Sequence, residues 1–480
     1  MRITFKENSR RFNRGAATDN NGYDKYGKEV ERLVSVLPNA KQLSYRDMEY
    51  YNFIHFGINT FTNREWGTGK DDISVFNPCN LDTDEWCRIL KSSGSKGVIF
   101  TAKHHDGFCM WDTATTDRNV MNTPFKRDIV KELSESVKKY DLKLGIYLSP
   151  WDRSADCYGK NAYNDYYKRQ LTELLTGYGE IFTVWLDGAR GSEVEVEPDF
   201  QYDFAGFFEL VKKYQPSATT AIMGEDIRWI GNEEGKSRKS EWCVVSVGEG
   251  EKKGREGDDS IVDTVPSVAY NASDIGSRDL LKNYENLKWY PGEVDVSIRK
   301  GWFYHENEKP RSVDNLRKIY YKGSVGNGGF LLLNVPPKKD GTIDAADEKV
   351  LAEFGQSIKK DFSAPLEGVR YVRNIQGESR EVEGYSSLKD DEHILDLVFP
   401  VERDVKIIRL TEEIEKGQRI EAFDVYLRRN GKYVLVSQNT VVGYRKIIRL
   451  PHCLNNRADG VRVVVRQSRD NASFSVEAFG

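Results

Sequence analysis

The chain has 480 residues, with 71 Lys or Arg against 75 Asp or Glu and a formal net charge of −4. Without an excess of positive charge to neutralise phosphates, the composition argues against nucleic-acid binding as the main activity. Hydrophobic residues make up 39% of the chain. No run approaches the ~18 consecutive apolar residues of a membrane-spanning helix, so no membrane insertion is expected.

From about residue 41 onward, short apolar runs alternate with amphipathic segments. Eight apolar runs are predicted strands, and most are separated by segments with the 3.6-residue period of a helix. One such helix is predicted over residues 128–140, and another over 204–214. The predicted strands are 51–59, 97–104, 144–149, 182–187, 219–223, 242–247, 294–298 and 329–335.

Strands that are apolar on both faces and separated by helices are typical of parallel strands buried on both sides. Eight of them in succession predict an α/β fold, a (β/α)8 TIM-like barrel, with a doubly wound open sheet as the alternative. No G-x-G-x-x-G motif follows the first strand, which argues against a dinucleotide site.

After about residue 366 the pattern changes to short, partly alternating segments separated by turn-forming residues. This pattern predicts an all-β domain, a sandwich. The predicted organisation is therefore an N-terminal lead-in segment over residues 1–40, a catalytic barrel over 41–362 and a C-terminal β-sandwich over 363–480.

In a barrel of this type the active site lies at the C-terminal ends of the strands. The predicted strand ends and the loops after them carry imidazoles, indoles and carboxylates but no cofactor motif, so no cofactor is expected. These side chains are His55, Glu65, Trp66, His104, His105, Tyr147, Trp185, Asp187, Glu225, Arg228, Trp229, Glu233, Glu234 and Trp302.

Two carboxylates among aromatic and His side chains are the minimum equipment of a glycoside hydrolase. Asp187 lies between an apolar strand and Gly188, where an ionised carboxylate could attack an anomeric carbon. A second, protonated carboxyl would assist the leaving group. An Asp before Gly is also common in turns and at helix N-caps, so the pair by itself leaves the structural role open.

Three of the six histidines, His55, His104 and His105, fall within 51 residues. They could bind a metal together with Asp187, but there is no H-x-H or H-E-x-x-H motif and no Cys at ligand spacing. We therefore expect no metal, and we expect these imidazoles to hydrogen-bond a polar substrate such as a sugar.

Seven segments occur in order along the chain: FIHFGINTF (53–61, followed by EWG at 65–67), TAKHHDGFCMW (101–111), GIYLSPWDR (145–153), VWLDGA (184–189), DIRWIGNEEG (226–235), EVDVSIRKGWFYH (293–305) and GGFLLLNVPPKKDG (328–341). Together they closely resemble glycoside hydrolase family 29, the α-L-fucosidases. The resemblance runs from about residue 51 to residue 341, and the β-rich C-terminal part fits the layout of the family.

The resemblance implies a retaining exo-α-L-fucosidase that acts on a fucosylated oligosaccharide or glycoconjugate. It places the nucleophile on Asp187 and, as in the subfamily that prefers α-1,3/1,4-linked fucose, the acid/base on Glu233. Glu234 is adjacent to Glu233, and Glu225 ends the fifth predicted strand, so both stay open as alternatives. The resemblance also implies contacts with the sugar. Among these residues, Trp185 would form the pocket floor, and Arg228 and Trp229 would lie beside the acid/base loop. The full set is His55, Glu65, Trp66, His104, His105, Tyr147, Trp185, Arg228, Trp229 and Trp302.

Two alternatives remain at the level of the sequence. One is a metal-dependent hydrolase on a TIM barrel, and the other is a non-catalytic glycan-binding protein. The N-terminal segment has no apolar core of a signal peptide, so we expect a cytoplasmic location, or export if a leader has been removed. No oligomeric state is predicted.

Overall fold

A computed structural model of the chain describes residues 25–191, 196–247, 272–373, 379–381, 386–387, 394–451, 455–470 and 472–480. The first ten strands are β1 (Tyr50–Ile54), β2 (Gly97–Lys103), β3 (Lys143–Leu148), β4 (Ile181–Leu186), β5 (Thr219–Ile222), β6 (Ile227–Trp229), β7 (Val244–Ser246), β8 (Leu287–Trp289), β9 (Gly292–Ser297) and β10 (Phe330–Asn334). All except β7 and β8 pair in parallel and close into a barrel, with β10 beside β1. The predicted (β/α)8 barrel is confirmed.

Most of the helices lie between barrel strands. They are α1 (Lys25–Val34), α2 (Ala40–Tyr45), α3 (Ile58–Thr62), α4 (Thr83–Ser92), α5 (Ile129–Lys139), α6 (Ala162–Gly177), α7 (Phe204–Tyr214), α8 (Arg278–Leu281), α9 (Val313–Lys318) and α10 (Ala345–Asp361). Helix α5 begins after Asp128, whose carboxylate accepts the N–H of Lys131 at 2.8 Å. Its buried side chains recur at helical spacing from Ile129 to Val137, as the sequence predicted. No helix in the described ranges is both long and apolar enough to cross a bilayer.

The barrel strands are buried on both faces because they separate two apolar layers. Inward side chains such as Phe53 and Trp185 pack with each other in the barrel interior. Outward side chains such as Ile54 and Val184 pack against the surrounding helices. Burial on both faces explains why the strands are continuous apolar runs in the sequence.

The sixth barrel strand differs from the prediction. The apolar run 242–247 forms β7, which pairs antiparallel with β8 outside the barrel. The barrel is completed instead by the three-residue strand β6, in a segment that the sequence analysis treated as a loop. A parallel connection normally needs a dozen or more residues, usually with a helix. Only residues 223–226 separate β5 from β6, so the periodicity of the sequence could not reveal the strand.

The C-terminal part contains β11 (Val369–Arg373), β12 (Ser379–Glu381), β13 (Ser386–Ser387), β14 (Ile394–Asp404), β15 (Ile407–Glu412), β16 (Ile420–Arg429), β17 (Lys432–Asn439), β18 (Lys446–Arg449), β19 (Arg457–Ser468) and β20 (Ser473–Phe479). They form a six-stranded sheet, β12-β11-β14-β19-β16-β17, and a four-stranded sheet, β13-β20-β15-β18. Side chains of both sheets share one apolar core. The predicted all-β sandwich is therefore present.

The predicted lead-in segment is partly helical. Helix α1 lies within residues 1–40, and its Leu33 is buried against residues of the barrel interior. Arg32 of the same helix donates to the backbone carbonyls of Leu281 and Tyr284, each at 2.8 Å. The part of the predicted lead-in before residue 25 lies outside the described residues.

Candidate active site

The C-terminal ends of the barrel strands bring most of the predicted site residues to one mouth. Asp187 directly follows β4, His55 follows β1, and His104 and His105 follow β2. The carboxyl ends of parallel strands lie at the same end of a barrel, so these side chains share one opening. The same opening is lined by Glu65, Trp66, Tyr147, Trp185, Trp229 and Trp302.

The carboxylate of Asp187 is held by a donor on each oxygen. Tyr147 donates its hydroxyl to Oδ2 at 3.0 Å, and the N–H of Ala189 donates to Oδ1 at 2.8 Å. Burial raises the pKa of Asp187, and these hydrogen bonds oppose the rise because they favour the charged form. The side chain is 25% exposed, so part of the carboxylate faces the open mouth.

His105 directs its Nε2 toward Asp187. Ser149 donates its hydroxyl to the carbonyl of Trp151 at 2.8 Å, so its oxygen accepts the Nδ1–H of His105, also at 2.8 Å. This network assigns a proton to Nδ1. Nε2 lies 3.7 Å from Asp187 Oδ2, where a sugar hydroxyl could hydrogen-bond to either group.

His55 is oriented by Asn334, the last residue of β10. The Asn334 amide donates to Ser297 Oγ at 2.9 Å and to the carbonyl of Trp302 at 2.8 Å, so its oxygen faces His55. That oxygen accepts the Nδ1–H of His55 at 2.9 Å. Burial lowers the pKa of His55 to about 3, so the ring is neutral and Nε2 is an acceptor.

His104 packs between the other two histidines. Its ring centroid lies 4.0 Å from that of His105 and 5.4 Å from that of His55. Burial lowers the pKa of His104 well below its usual value, and the two neighbouring imidazoles add to the effect. Within the described part of the chain, no group of three or more His, Cys, Asp and Glu is arranged to hold a metal ion.

Glu65 fixes the loop that carries Trp302. Its carboxylate accepts the N–H of Trp302 at 2.9 Å and that of Phe303 at 3.3 Å, and lies 2.6 Å from His305 Nε2. The Trp302 ring is thereby held 5.0 Å from the His55 ring. The structure thus gives Glu65 a positioning contact in addition to the sugar contact that the resemblance implies.

Trp66 is the exposed ring at the mouth. Trp66 is 58% exposed, although large apolar residues are usually buried. Its ring lies edge-on to Trp151 at 5.9 Å, and Trp151 lies 4.6 Å from His105. An exposed indole beside a polar opening offers an apolar face to the C–H surface of a sugar.

A buried carboxyl lies beneath the mouth. Glu293 of β9 accepts the indole N–H of Trp185 at 2.8 Å and the hydroxyl of Tyr51. Burial raises the pKa of Glu293 to about 7. This network fixes the Trp185 ring two residues before Asp187, at the floor of the opening.

Asp295 and Glu233 interact at the β6 side of the mouth. The Trp229 indole N–H donates to Asp295 Oδ1 at 2.7 Å. Burial, together with repulsion from Glu233, raises the pKa of Asp295 well above its usual value. The Glu233 carboxyl is therefore close enough to Asp295, which points into the barrel from β9, for their charges to interact.

The two alternative glutamates make contacts elsewhere. Glu234 forms an ion pair with Lys236 on the surface of the loop. Glu225 pairs with Lys212 at 3.1 Å, near the C-terminal end of α7. Since α7 leads into β5, that end of the helix lies at the opposite end of the barrel from the mouth. The structure does not bring Glu225 to the site.

Arg228 is also placed away from the mouth. In β6 the side chains of Ile227 and Trp229 point inward, so Arg228 points outward. Its buried guanidinium pairs with Glu241 and donates to the carbonyl of Tyr290 at 2.8 Å. The interpretation of Arg228 as a group beside the sugar is corrected, because the alternation of a strand puts it on the outer face.

Sequence reasoning did not single out Asn334, Asp295 or Glu293. The segment EVDVS shows acidic residues within an otherwise apolar strand, and this signal could have identified two of them. A buried polar group is normally hydrogen-bonded, so such a residue points to a network inside the barrel. Its partners come from other strands and could not be read from the sequence.

A carboxylate, neutral imidazoles and indoles at the mouth of a (β/α)8 barrel form a site that suits a polar ring with several hydroxyl groups. This combination of fold and site is that of a glycoside hydrolase.

The comparisons with known proteins define the family. The family model described as Alpha-L-fucosidase matches residues 36–361. Alpha-L-fucosidase 1 of Arabidopsis thaliana is 37% identical over 461 residues, which cover 92% of this chain and 86% of the plant protein. The chain belongs to the α-L-fucosidase family, glycoside hydrolase family 29.

Solved structures agree with this assignment. A glycoside hydrolase 29 family member from an unknown rumen bacterium has a TM-score of 0.79 and 32% identity, covering 92% of this chain and 77% of that one. A Ruminococcus gnavus GH29 fucosidase, solved in complex with fucose, has a TM-score of 0.77 and 27% identity, covering 92% and 95%.

Proposed function

We propose that the protein is a retaining exo-α-L-fucosidase that releases terminal α-1,3/1,4-linked fucose from oligosaccharides and glycoconjugates. Asp187 is the nucleophile, and Glu233 is the acid/base. The main supporting observation is the Asp187 carboxylate, which is held by Tyr147 and Ala189 at the end of β4 and is open toward the mouth.

In the first step an oxygen of Asp187 attacks C1 of fucose while the bond from C1 to the leaving oxygen breaks. Glu233 gives its proton to that oxygen, which leaves as the hydroxyl of the aglycone. The electrostatic interaction between Glu233 and Asp295 supports this role, because Asp295 lies inside the barrel and the interaction indicates that a second carboxyl is near the site.

In the second step the Glu233 carboxylate takes a proton from water, and the water oxygen attacks C1. The bond between C1 and Asp187 breaks, so fucose is released with its original configuration. The hydrogen bonds to Asp187 from Tyr147 and Ala189 favour its departure as a carboxylate.

The surrounding side chains suit a 6-deoxy sugar. His55 is oriented as an acceptor and can accept a hydrogen bond from a sugar hydroxyl, and Nε2 of His105 faces the same opening. Trp302, whose ring lies 5.0 Å from that of His55, provides apolar surface for the methyl group at C5.

The nucleophile is tested with Asp187→Ala. Turnover of an aryl α-L-fucoside should fall by several orders of magnitude, and azide should restore it with formation of the inverted β-fucosyl azide. Circular dichroism should be unchanged. Near-normal turnover by this variant would contradict the assignment of the nucleophile. The retaining mechanism is tested separately by proton NMR of the unsubstituted protein, and β-fucose as the first product would contradict it.

The acid/base is tested with Glu233→Ala, with Glu234→Ala and Glu225→Ala as matched controls. We expect Glu233→Ala to lose activity mainly on substrates with poor leaving groups, and azide to yield the retained α-fucosyl azide. Both controls should keep activity near that of the unsubstituted protein. The same azide product from either control would move the role to that residue.

Linkage preference is tested with Lewis-type trisaccharides and 2'-fucosyllactose in parallel incubations. Faster release of fucose from the branched α-1,3/1,4-linked substrates is expected. Equal or faster release from 2'-fucosyllactose would contradict the proposed preference.

A further inference from the structure

The loop after β6 carries Glu233, and its second half is held by Asn327. The Asn327 amide donates to Ser237 Oγ at 2.8 Å and to the carbonyl of Arg238 at 2.6 Å. Asn327 lies just before β10 and is almost fully buried. One side chain of the barrel thus binds two consecutive residues of the loop, four and five positions after Glu233.

The orientation of the Asn327 amide is decided by the sandwich. Lys446 of β18 donates its ammonium to Asn327 Oδ1. An amide turned the other way would place its NH2 group against this cation, so both N–H groups must face the loop. The neighbouring backbone is joined as well, since the N–H of Ile447 donates to the carbonyl of Gly326 at 2.9 Å.

Further side chains of the sandwich bind the same segment. Gln418 accepts the N–H of Cys243 at 2.8 Å and donates to the carbonyl of Glu241 at 3.3 Å. The hydroxyl of Thr440 donates to the carbonyl of Lys239 at 3.0 Å. The backbone from residue 239 to residue 243 is therefore bound at three points by groups of the sandwich.

We infer that the C-terminal sandwich positions the acid/base of the reaction, with Lys446 acting through Asn327 to hold the loop that carries Glu233. Asn327 and Lys446 are positioning residues, because they act on the loop and not on the sugar. The inference rests on the proposed role of Glu233. Small displacements of a reacting group lower rates strongly, so this connection controls proton donation to the leaving group.

The test compares two substrates of different leaving ability. 2-Chloro-4-nitrophenyl α-L-fucoside releases its phenolate with little help from an acid, whereas phenyl α-L-fucoside depends on it. We expect Lys446→Met and Asn327→Asp to lower kcat/KM for the phenyl fucoside about ten-fold or more. The value of kcat/KM for the activated substrate should stay within about two-fold, since it reports the first step only and Asp187 is untouched.

Asn327→Asp guards against simple misfolding. The new carboxylate has nearly the shape of the amide and keeps the contact with Lys446, but it cannot donate to Ser237 or Arg238. Lys432→Met, at an exposed position of β17, is the matched control and should leave both rates unchanged.

Glu233→Ala is measured in the same experiment to separate the two proposals. If Glu233→Ala lowers kcat/KM selectively for the phenyl fucoside, but the Lys446 and Asn327 variants lower kcat/KM equally for both substrates or for neither, the positioning role is overturned. If Glu233→Ala itself lowers kcat/KM equally for both substrates, the proposed acid/base is wrong.

Discussion

At the scale of the residue, Tyr147 acts with the backbone N–H of Ala189 to keep Asp187 charged. Its hydroxyl lies 3.0 Å from Oδ2 and stabilises the carboxylate in a buried setting that favours the neutral acid. Only the ionised form can attack C1. The acid limb of the pH profile therefore reports the balance between burial and this hydrogen bond.

We predict that Tyr147→Phe moves the acid limb of kcat/KM to higher pH. Loss of a donor raises the pKa of Asp187, so the carboxylate is protonated at a pH where it is now charged. A hydrogen bond to a charged group contributes about 1.5–3 kcal/mol, which corresponds to a shift of about one to two pH units. Rates measured across pH check this. Tyr214→Phe, in α7, is the control, and an unmoved acid limb would contradict the argument.

The types of residue at the mouth could be predicted from the sequence, but their hydrogen-bond partners could not. Asp187, His55 and His105 follow apolar strands, so their place at the strand ends is a local property. The proton on His55 is fixed by Asn334, which is 279 residues away in sequence. Likewise, nothing local indicates that Arg228 pairs with Glu241 on the outer face of β6.

At the scale of the element, the turn between β5 and β6 sets where the acid/base loop begins. The N–H groups of Glu225 and Asp226 bind Thr220 Oγ1 at 2.8 Å and the Thr220 carbonyl at 3.2 Å, folding the chain back onto β5. Ile222 adopts a φ of 68°, which is costly for a β-branched residue. The turn is tight because residue 224 is a glycine packed against Thr220.

We predict that Gly224→Ala destabilises this turn. A Cβ at this position would overlap the backbone of Thr220, which cannot move without breaking its pairing with β4. Overpacking of this kind costs about 1–3 kcal/mol, measured as a lower free energy of unfolding in urea. Gly177→Ala, at the end of α6 with no neighbouring atom near its Cβ position, should be neutral or stabilise by up to about 1 kcal/mol. Equal stability of the two variants would refute the role of the turn.

At the scale of the whole molecule, the sandwich packs directly against the barrel. Tyr444 is buried, with its ring 5.1 Å from Phe330 of β10 and 6.2 Å from Trp289 of β8. Phe479 lies 5.1 Å from Phe362, just after α10. These rings join the two parts by apolar burial as well as by the polar contacts to the acid/base loop.

We predict that Tyr444→Ala lowers the free energy of unfolding by about 3 kcal/mol or more, as for other large buried aromatic residues. The loss should appear in the barrel signal and the sandwich signal together, because the ring contacts both. Chemical denaturation followed by tryptophan fluorescence and far-UV circular dichroism checks this. Val434→Ala, at a half-exposed position of β17, should change stability by less than about 0.5 kcal/mol. A loss confined to one signal would argue against coupling through this ring.

The sequence by itself determined that the chain forms a (β/α)8 barrel followed by a β-sandwich. The spacing of apolar residues depends on whether a strand or helix is buried on one face or on two, and this spacing can be read from the sequence. The sequence also determined which residue types end the barrel strands. Only the tertiary structure decided that β6 completes the barrel, that Glu225 and Arg228 lie away from the mouth, and that the sandwich reaches the loop of Glu233. These features depend on contacts between residues far apart in the chain, whereas a periodic pattern reports only the environment of its own segment.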